Sequence, residues 1–165
     1  MFENVVVRGT IIDAARACDV TAAEQALGAR FPAGYGDYIT RFGRGVLGGT
    51  YIRIYMPARV VADLAEWRAR IDEFWFWDDG VEVLAKARAL ECIVIGDTWD
   101  GDELIFHPSA PDTIYVLPRH QETIFVAGVG LPAAIEWMCS SGTLKQAFVE
   151  RTFEPDAEPL VAGSR

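Results

Sequence analysis

Between Cys92 and Ala127 four short runs rich in β-branched and aromatic residues follow one another, at 92–95, 103–106, 113–117 and 123–127. The spacers hold Asp100-Gly101, 108–112 with two prolines, and 118–121, all turn chemistry of hairpin length. Consecutive strands joined this way form an antiparallel meander. The runs are apolar at successive positions rather than alternating, so most of the sheet is expected to be covered on both faces.

Helical spacing lies on either side. Thr21 stands three residues before Glu24 as in a capping box, with Ala23, Ala26 and Leu27 as an apolar edge and Gly28 as a C-cap. A second helix is expected from Phe31-Pro32, where Tyr35, Tyr38, Ile39 and Phe42 recur at spacings of three and four and Gly43 stops it. This aromatic stripe reads as core. Gly45, Gly48 and Gly49 form a corner into a strand at 51–55. Pro57 suits the first turn of a third helix with Val60, Val61, Leu64, Trp67, Ile71 and Phe74 inward. Val83, Leu84, Ala87 and Leu90 suggest a further short helix, 131–138 another, and 144–149 a possible last one. The opening, 2–17, fits either a short strand or a helix starting near Thr10. Helices before and after a run of strands make the fold class α+β: a single domain with a mostly antiparallel sheet of about five or six strands. The domain is placed at 1–154, and 155–165 reads as a loose acidic tail.

The 165 residues suffice for one hydrophobic core without a disulfide or metal. Fifteen Lys plus Arg against twenty-four Asp plus Glu give a formal charge of −9, and a field of that sign repels phosphate backbones and anionic membranes. No apolar run approaches the ~20 residues of a membrane helix, and the N-terminus lacks a signal pattern. Cys18, Cys92 and Cys139 are odd in number and scattered, which suits a reducing compartment. A cytoplasmic protein with packed thiols is the expectation.

Several constellations invite chemistry. Gly43, Gly45 and Gly48 satisfy a G-x-G-x-x-G pattern, but a phosphate cradle needs a strand before it and a helix after it, and here the order is reversed. Gly128, Gly130 and Ala133 have the right order yet close a meander, with no second strand to build a dinucleotide crevice. Asp97, Asp100, Asp102 and Glu103, with His107 nearby, place oxygen ligands in one hairpin without calcium-loop spacing, so an exposed acidic turn is weighed above a weak Ca or Mg site. His107 and His120 stand at no motif spacing from a serine or cysteine. The residues themselves assign no catalytic group, cofactor or metal.

The run WFWDDG is different. Trp75, Phe76 and Trp77 cannot all point one way from a helix or strand, so at least one ring is expected at the surface, where Trp is a frequent interface anchor. With the neighbouring Asp78 and Asp79, and with Asp97, Trp99, Asp100 and Asp102 of the hairpin, these residues form the predicted partner-binding surface: Trp75, Trp77, Asp78, Asp79, Asp97, Trp99, Asp100 and Asp102. For the aromatics themselves, core or lid packing is weighed above the interface reading, since most aromatics are buried.

The succession Glu24, Leu27-Gly28, Phe31-Pro32, Tyr35, Tyr38, Phe42-Gly43, Gly45 resembles the signature of the SUKH superfamily, which includes fungal cell-wall assembly and killer-toxin-resistance regulators and bacterial toxin-immunity proteins. Ile93-Val94-Ile95-Gly96, Gly101-Asp102-Glu103 and Ile135-Glu136-Trp137-Met138 are similar to its second half. Phe31 replaces the usual aliphatic, and the WFWDDG insert has no counterpart in the pattern. The resemblance implies an α+β fold, no active site, and use as a protein-binding domain. An immunity protein that occludes a toxin of the nuclease or deaminase class is the leading expectation; the alternative is a regulatory scaffold like the fungal relatives, and a small hydrolase or ligand-binding enzyme is a third.

Overall fold

In the computed structural model, which describes residues 1–10 and 13–156, eight strands form one mixed sheet ordered β1-β8-β2-β3-β4-β5-β6-β7. The strands are β1 (Val6–Val7), β2 (Gly45–Leu47), β3 (Ile52–Ile54), β4 (Ile93–Thr98), β5 (Glu103–His107), β6 (Ala110–Leu117), β7 (Phe125–Val129) and β8 (Thr152–Pro155). The helices are α1 (Ala17–Leu27), α2 (Tyr35–Arg41), α3 (Pro57–Glu73), α4 (Lys86–Ala89) and α5 (Leu131–Ser140), with a 3₁₀ turn at Asp78–Gly80. The fold is α+β, and β3 to β7 are the expected antiparallel meander. No helix among the described residues is long and apolar enough to cross a membrane.

Five or six strands were expected, and the difference lies at one edge. β8 enters between β1 and β2, parallel to β1 and antiparallel to β2, which makes the sheet mixed. Strands of two to four residues leave no readable alternation, because their neighbours rather than their own pattern hold them. Pro155 ends β8, and Asp156 N–H donates to Arg44 O over 3.2 Å; residues 157–165 of the expected acidic tail lie outside the described residues. The opening proves to be a strand at Val6–Val7; Ile11 and Ile12 are likewise outside the described residues.

The expected capping box at Thr21 is displaced. α1 already begins at Ala17, where the Arg16 backbone N–H donates to Asp19 over 2.9 Å. Thr21 lies inside the helix with its hydroxyl on the Ala17 carbonyl, and Glu24 instead accepts the Phe31 N–H over 2.8 Å, fixing the loop between α1 and α2. Gly28 closes α1 in the left-handed conformation, as its position suggests. Residues 144–149 form no helix.

The stripe of α2 is core. Tyr35, Tyr38, Ile39 and Phe42 are fully buried, and Phe42 and Tyr38 meet Phe153 of β8 at 5.2 and 6.1 Å between ring centroids. Phe31 stacks on Tyr35 at 4.0 Å and reaches Phe106 of β5. Each such aromatic contributes about 1.5–3 kcal/mol by leaving water. The Tyr35 hydroxyl donates to the Tyr55 carbonyl over 2.6 Å, which binds α2 to the start of α3.

Because side chains alternate along a strand, the residues opposite this cluster form a second face. There Arg53, Asp97 and Glu103 stand in register across β3, β4 and β5. α3 reaches the same row: the Trp67 indole N–H donates to Glu103 over 3.2 Å, and Arg70 pairs with the same carboxylate. On α3 itself, Val61 and Phe74 are exposed although spacing put them inward. Phe74 is already the C-cap, outside helical geometry, so extending the helical stripe to it fails.

Candidate functional site

Two regions of the second face carry features beyond packing. The first is the segment after α3. Trp77 is buried, stacks on Phe76 at 4.1 Å, and donates its indole N–H to the Pro118 carbonyl. Trp75 is half-buried, packs edge-on against Trp77, and donates to Asp78 over 3.0 Å. The buried ring is the root of the segment. Around it Phe74 is 62% exposed and Val81 53%, interleaved with exposed Glu73, Asp78, Asp79 and Glu82.

The hairpin between β4 and β5 comes to the same place. Gly101 of its turn and Phe74, Phe76 and Trp77 border one hollow of about 500 Å³, which also touches Arg119. Its acids have separate tasks. Asp102 is buried, accepting the Thr98 hydroxyl over 2.7 Å and the Arg119 N–H over 2.9 Å, which closes the turn. Asp97 is held by a two-pronged contact from Arg53, through Nε over 2.7 Å and Nη2. Burial pushes Glu103 above the usual carboxylate range, against the opposing pull of Arg70 and Trp67. Asp100 and Trp99 are exposed.

The structure therefore sorts the eight predicted residues. Asp78, Asp79, Trp99 and Asp100 are at the surface, Trp75 and Asp97 partly so, and Trp77 and Asp102 are interior supports that a partner cannot touch without rearrangement. Phe74, Val81 and Glu82 belong to the surface and were not singled out. Their signal was adjacency to WFWDDG, hidden for Phe74 by its fit to the α3 stripe.

The second region is a cleft of about 570 Å³ between the start of α3 and strands β2 and β3, lined by Arg44, Arg53, Arg59, Tyr55 and Trp99 over an apolar floor. The Arg59 guanidinium lies 3.6 Å over the Tyr55 ring and that of Arg53 lies 5.1 Å over Trp99. Arg44 pairs with Asp156 at 3.0 Å and Asp13 at 3.6 Å. Sequence reasoning missed this site because its arginines come from the bend before β2, from β3 and from α3, which only the fold assembles.

His107 takes part in a hydrogen-bond chain that resembles a nucleophilic relay. Its Nε2 is 2.8 Å from Glu91, and its Nδ1 is 2.8 Å from the Ser109 hydroxyl. Nδ1 also accepts the Ser109 backbone N–H at 3.1 Å, which places the ring proton on Nε2, facing Glu91. The serine oxygen accepts in turn from Arg88 over 2.9 Å. A ring nitrogen shared by the turn's own amide and a hydroxyl held by an arginine make a lock for the β5–β6 turn. Of the three cysteines, Cys92 and Cys139 are packed, and burial pushes the Cys92 thiol up to about 12 and Cys139 to about 11, whereas Cys18 is exposed, against the expectation of a packed thiol.

At the end of β7, Gly130 precedes α5, but the Leu131 N–H donates to the Ala33 carbonyl over 2.8 Å and the Gly130 N–H to Asp112 O over 2.7 Å. A Cβ on Gly128 would lie 2.9 Å from that of Ala133. The turn's amides are thus used in packing. Among the described residues no cluster of three His, Cys, Asp or Glu side chains has metal-ligating geometry. Compared with known proteins, the chain matches no family profile and no curated protein.

Proposed function

We propose that the chain is a non-enzymatic binding domain whose acidic, aromatic-bearing face docks onto a basic protein surface. One observation carries this reading: Phe74 and Val81 stand exposed among Glu73, Asp78, Asp79 and Glu82 on a segment rooted by buried Trp77. Large apolar side chains exposed among acids, on a segment anchored by a buried ring, are features of a docking site. The exposed Asp100 and half-buried Trp75 extend it. The charge of −9 favours a basic partner and speeds encounter.

The resemblance of the 20–142 region to the SUKH pattern gives that partner a class: a toxin domain acting on nucleic acid or nucleobases, whose substrate cleft is basic. In this reading the protein is an immunity factor that covers the cleft. The test is stoichiometric inhibition. Purified chain mixed with the toxin domain encoded beside its gene should abolish that domain's activity at a 1:1 ratio and co-elute with it. Full activity in the presence of excess chain, with no co-elution, rejects the reading.

A further inference from the structure

The arginine-lined cleft shares no lining residue with the hollow beside Phe74 and Trp77. We propose that it binds a small ligand consisting of a flat aromatic ring that carries one anionic group.

The cavity, at about 570 Å³, has the size of small-molecule sites. Three of the chain's fifteen cationic side chains line it, in a protein whose formal charge is −9. Concentrating them there runs against the overall charge. Two of the three are held by carboxylates that do not line the cleft: Arg53 by Asp97 and Arg59 by Asp63 at 3.2 Å. Asp97 occupies Nε and Nη2 of Arg53, and Asp63 occupies Nε of Arg59. The fork is thereby fixed in place while Arg53 Nη1 and both terminal nitrogens of Arg59 keep their N–H donors, the arrangement that captures a carboxylate or phosphate oxygen.

The aromatic half follows from Trp99. Its ring is 64% exposed at the cleft wall, with Arg53 over it. An indole left in water at the mouth of an apolar cavity is a stacking platform without its second partner. Val46, Ile54 and Met56 supply the floor beneath. Asp13 and Asp156 also line the cleft and are engaged with Arg44, so the lining's formal charge is one positive unit, which matches a single anionic group better than a polyphosphate.

The test follows the Trp99 indole N–H resonance, assigned by its loss in Trp99→Phe, while the full chain is titrated with phenylacetate, phenyl phosphate, benzyl alcohol and inorganic phosphate. At least one aromatic anion should shift that resonance saturably, binding about tenfold or more tighter than benzyl alcohol and inorganic phosphate. Which of the two wins identifies carboxylate or phosphate as the anionic group. Arg59→Gln, at a surface residue, should weaken the effect about fivefold or more while leaving the remaining spectrum in place; Arg53→Gln serves as a second variant. The proposal is overturned by the absence of a saturable shift with both aromatic anions up to ~10 mM, by equal binding of benzyl alcohol, or by affinity unchanged in both arginine variants. None of these outcomes bears on inhibition of a toxin, so the two readings fail separately.

Discussion

The indole N–H of Trp77 donates to the carbonyl of Pro118 over 2.8 Å, and this bond joins the segment after α3 to the chain leaving β6. The ring is buried against Phe76, so the exposed residues on either side are displayed from a fixed point. Trp77→Phe keeps most of the packing and leaves the carbonyl unpaired. It should cost about 1–3 kcal/mol in denaturant unfolding, whereas Trp77→Ala should cost about 3–5 kcal/mol.

Gly43 and Gly28 are both left-handed, with φ of 66° and 63°. Only Gly43 is also crowded, since a Cβ there would sit 2.0 Å from the Asp13 carbonyl oxygen, while one on Gly28 meets nothing within 4 Å. Gly28→Ala should therefore cost about 1–2 kcal/mol from conformation alone. Gly43→Ala must also displace the Asp13 backbone, and thermal unfolding should show a distinctly larger loss.

Much of this architecture is legible in the residues. The runs at 92–127 become β4 to β7 within a few positions, Pro57 does open α3, and the stripe from Tyr35 to Phe42 is the core of α2. The sheet's other edge is not legible, because β1, β2 and β8 are short and depend on chain ends meeting in space. The same limit governs the sites. WFWDDG points to a surface, but which of its rings is the root depends on Pro118, forty-one residues away. The cleft needs Arg44, Arg53 and Arg59 brought together, and nothing in their spacing announces it.

Asp112 links α2's approach to β6. Its carboxylate accepts from Arg30 over 2.9 Å and from the Ala33 N–H over 2.8 Å, and the arginine contact, then the amide, holds it below the usual carboxylate range. A lowered folded value means stability that is present above the unfolded range, about 3.9, and lost as pH falls through the folded value. Asp112→Asn should be destabilised at pH 7 relative to wild type. The gap should shrink as thermal unfolding is measured at progressively lower pH.

The three cysteines should separate by burial. Cys18 is exposed, while Cys92 and Cys139 are buried with thiols raised by desolvation. An aromatic disulfide reagent at pH 8 should titrate one thiol in the native protein and three in denaturant, because the thiolate is the reactive form. Rapid modification of two or more in the native state would contradict the packing of β4 and α5.

The proposal that the acidic aromatic face is the docking surface is tested most directly by the salt dependence of binding to the toxin domain proposed as its partner. Phe74→Ala with Asp79→Lys and Asp100→Lys alters only exposed side chains and leaves the Trp75–Asp78 bond in place, so the variant should fold as the wild type does. Its Kd should rise about a hundredfold or more, and the weakening of wild-type binding with added salt should largely disappear. An unchanged Kd with an unchanged salt slope, in a variant shown to be folded, would place the interface elsewhere.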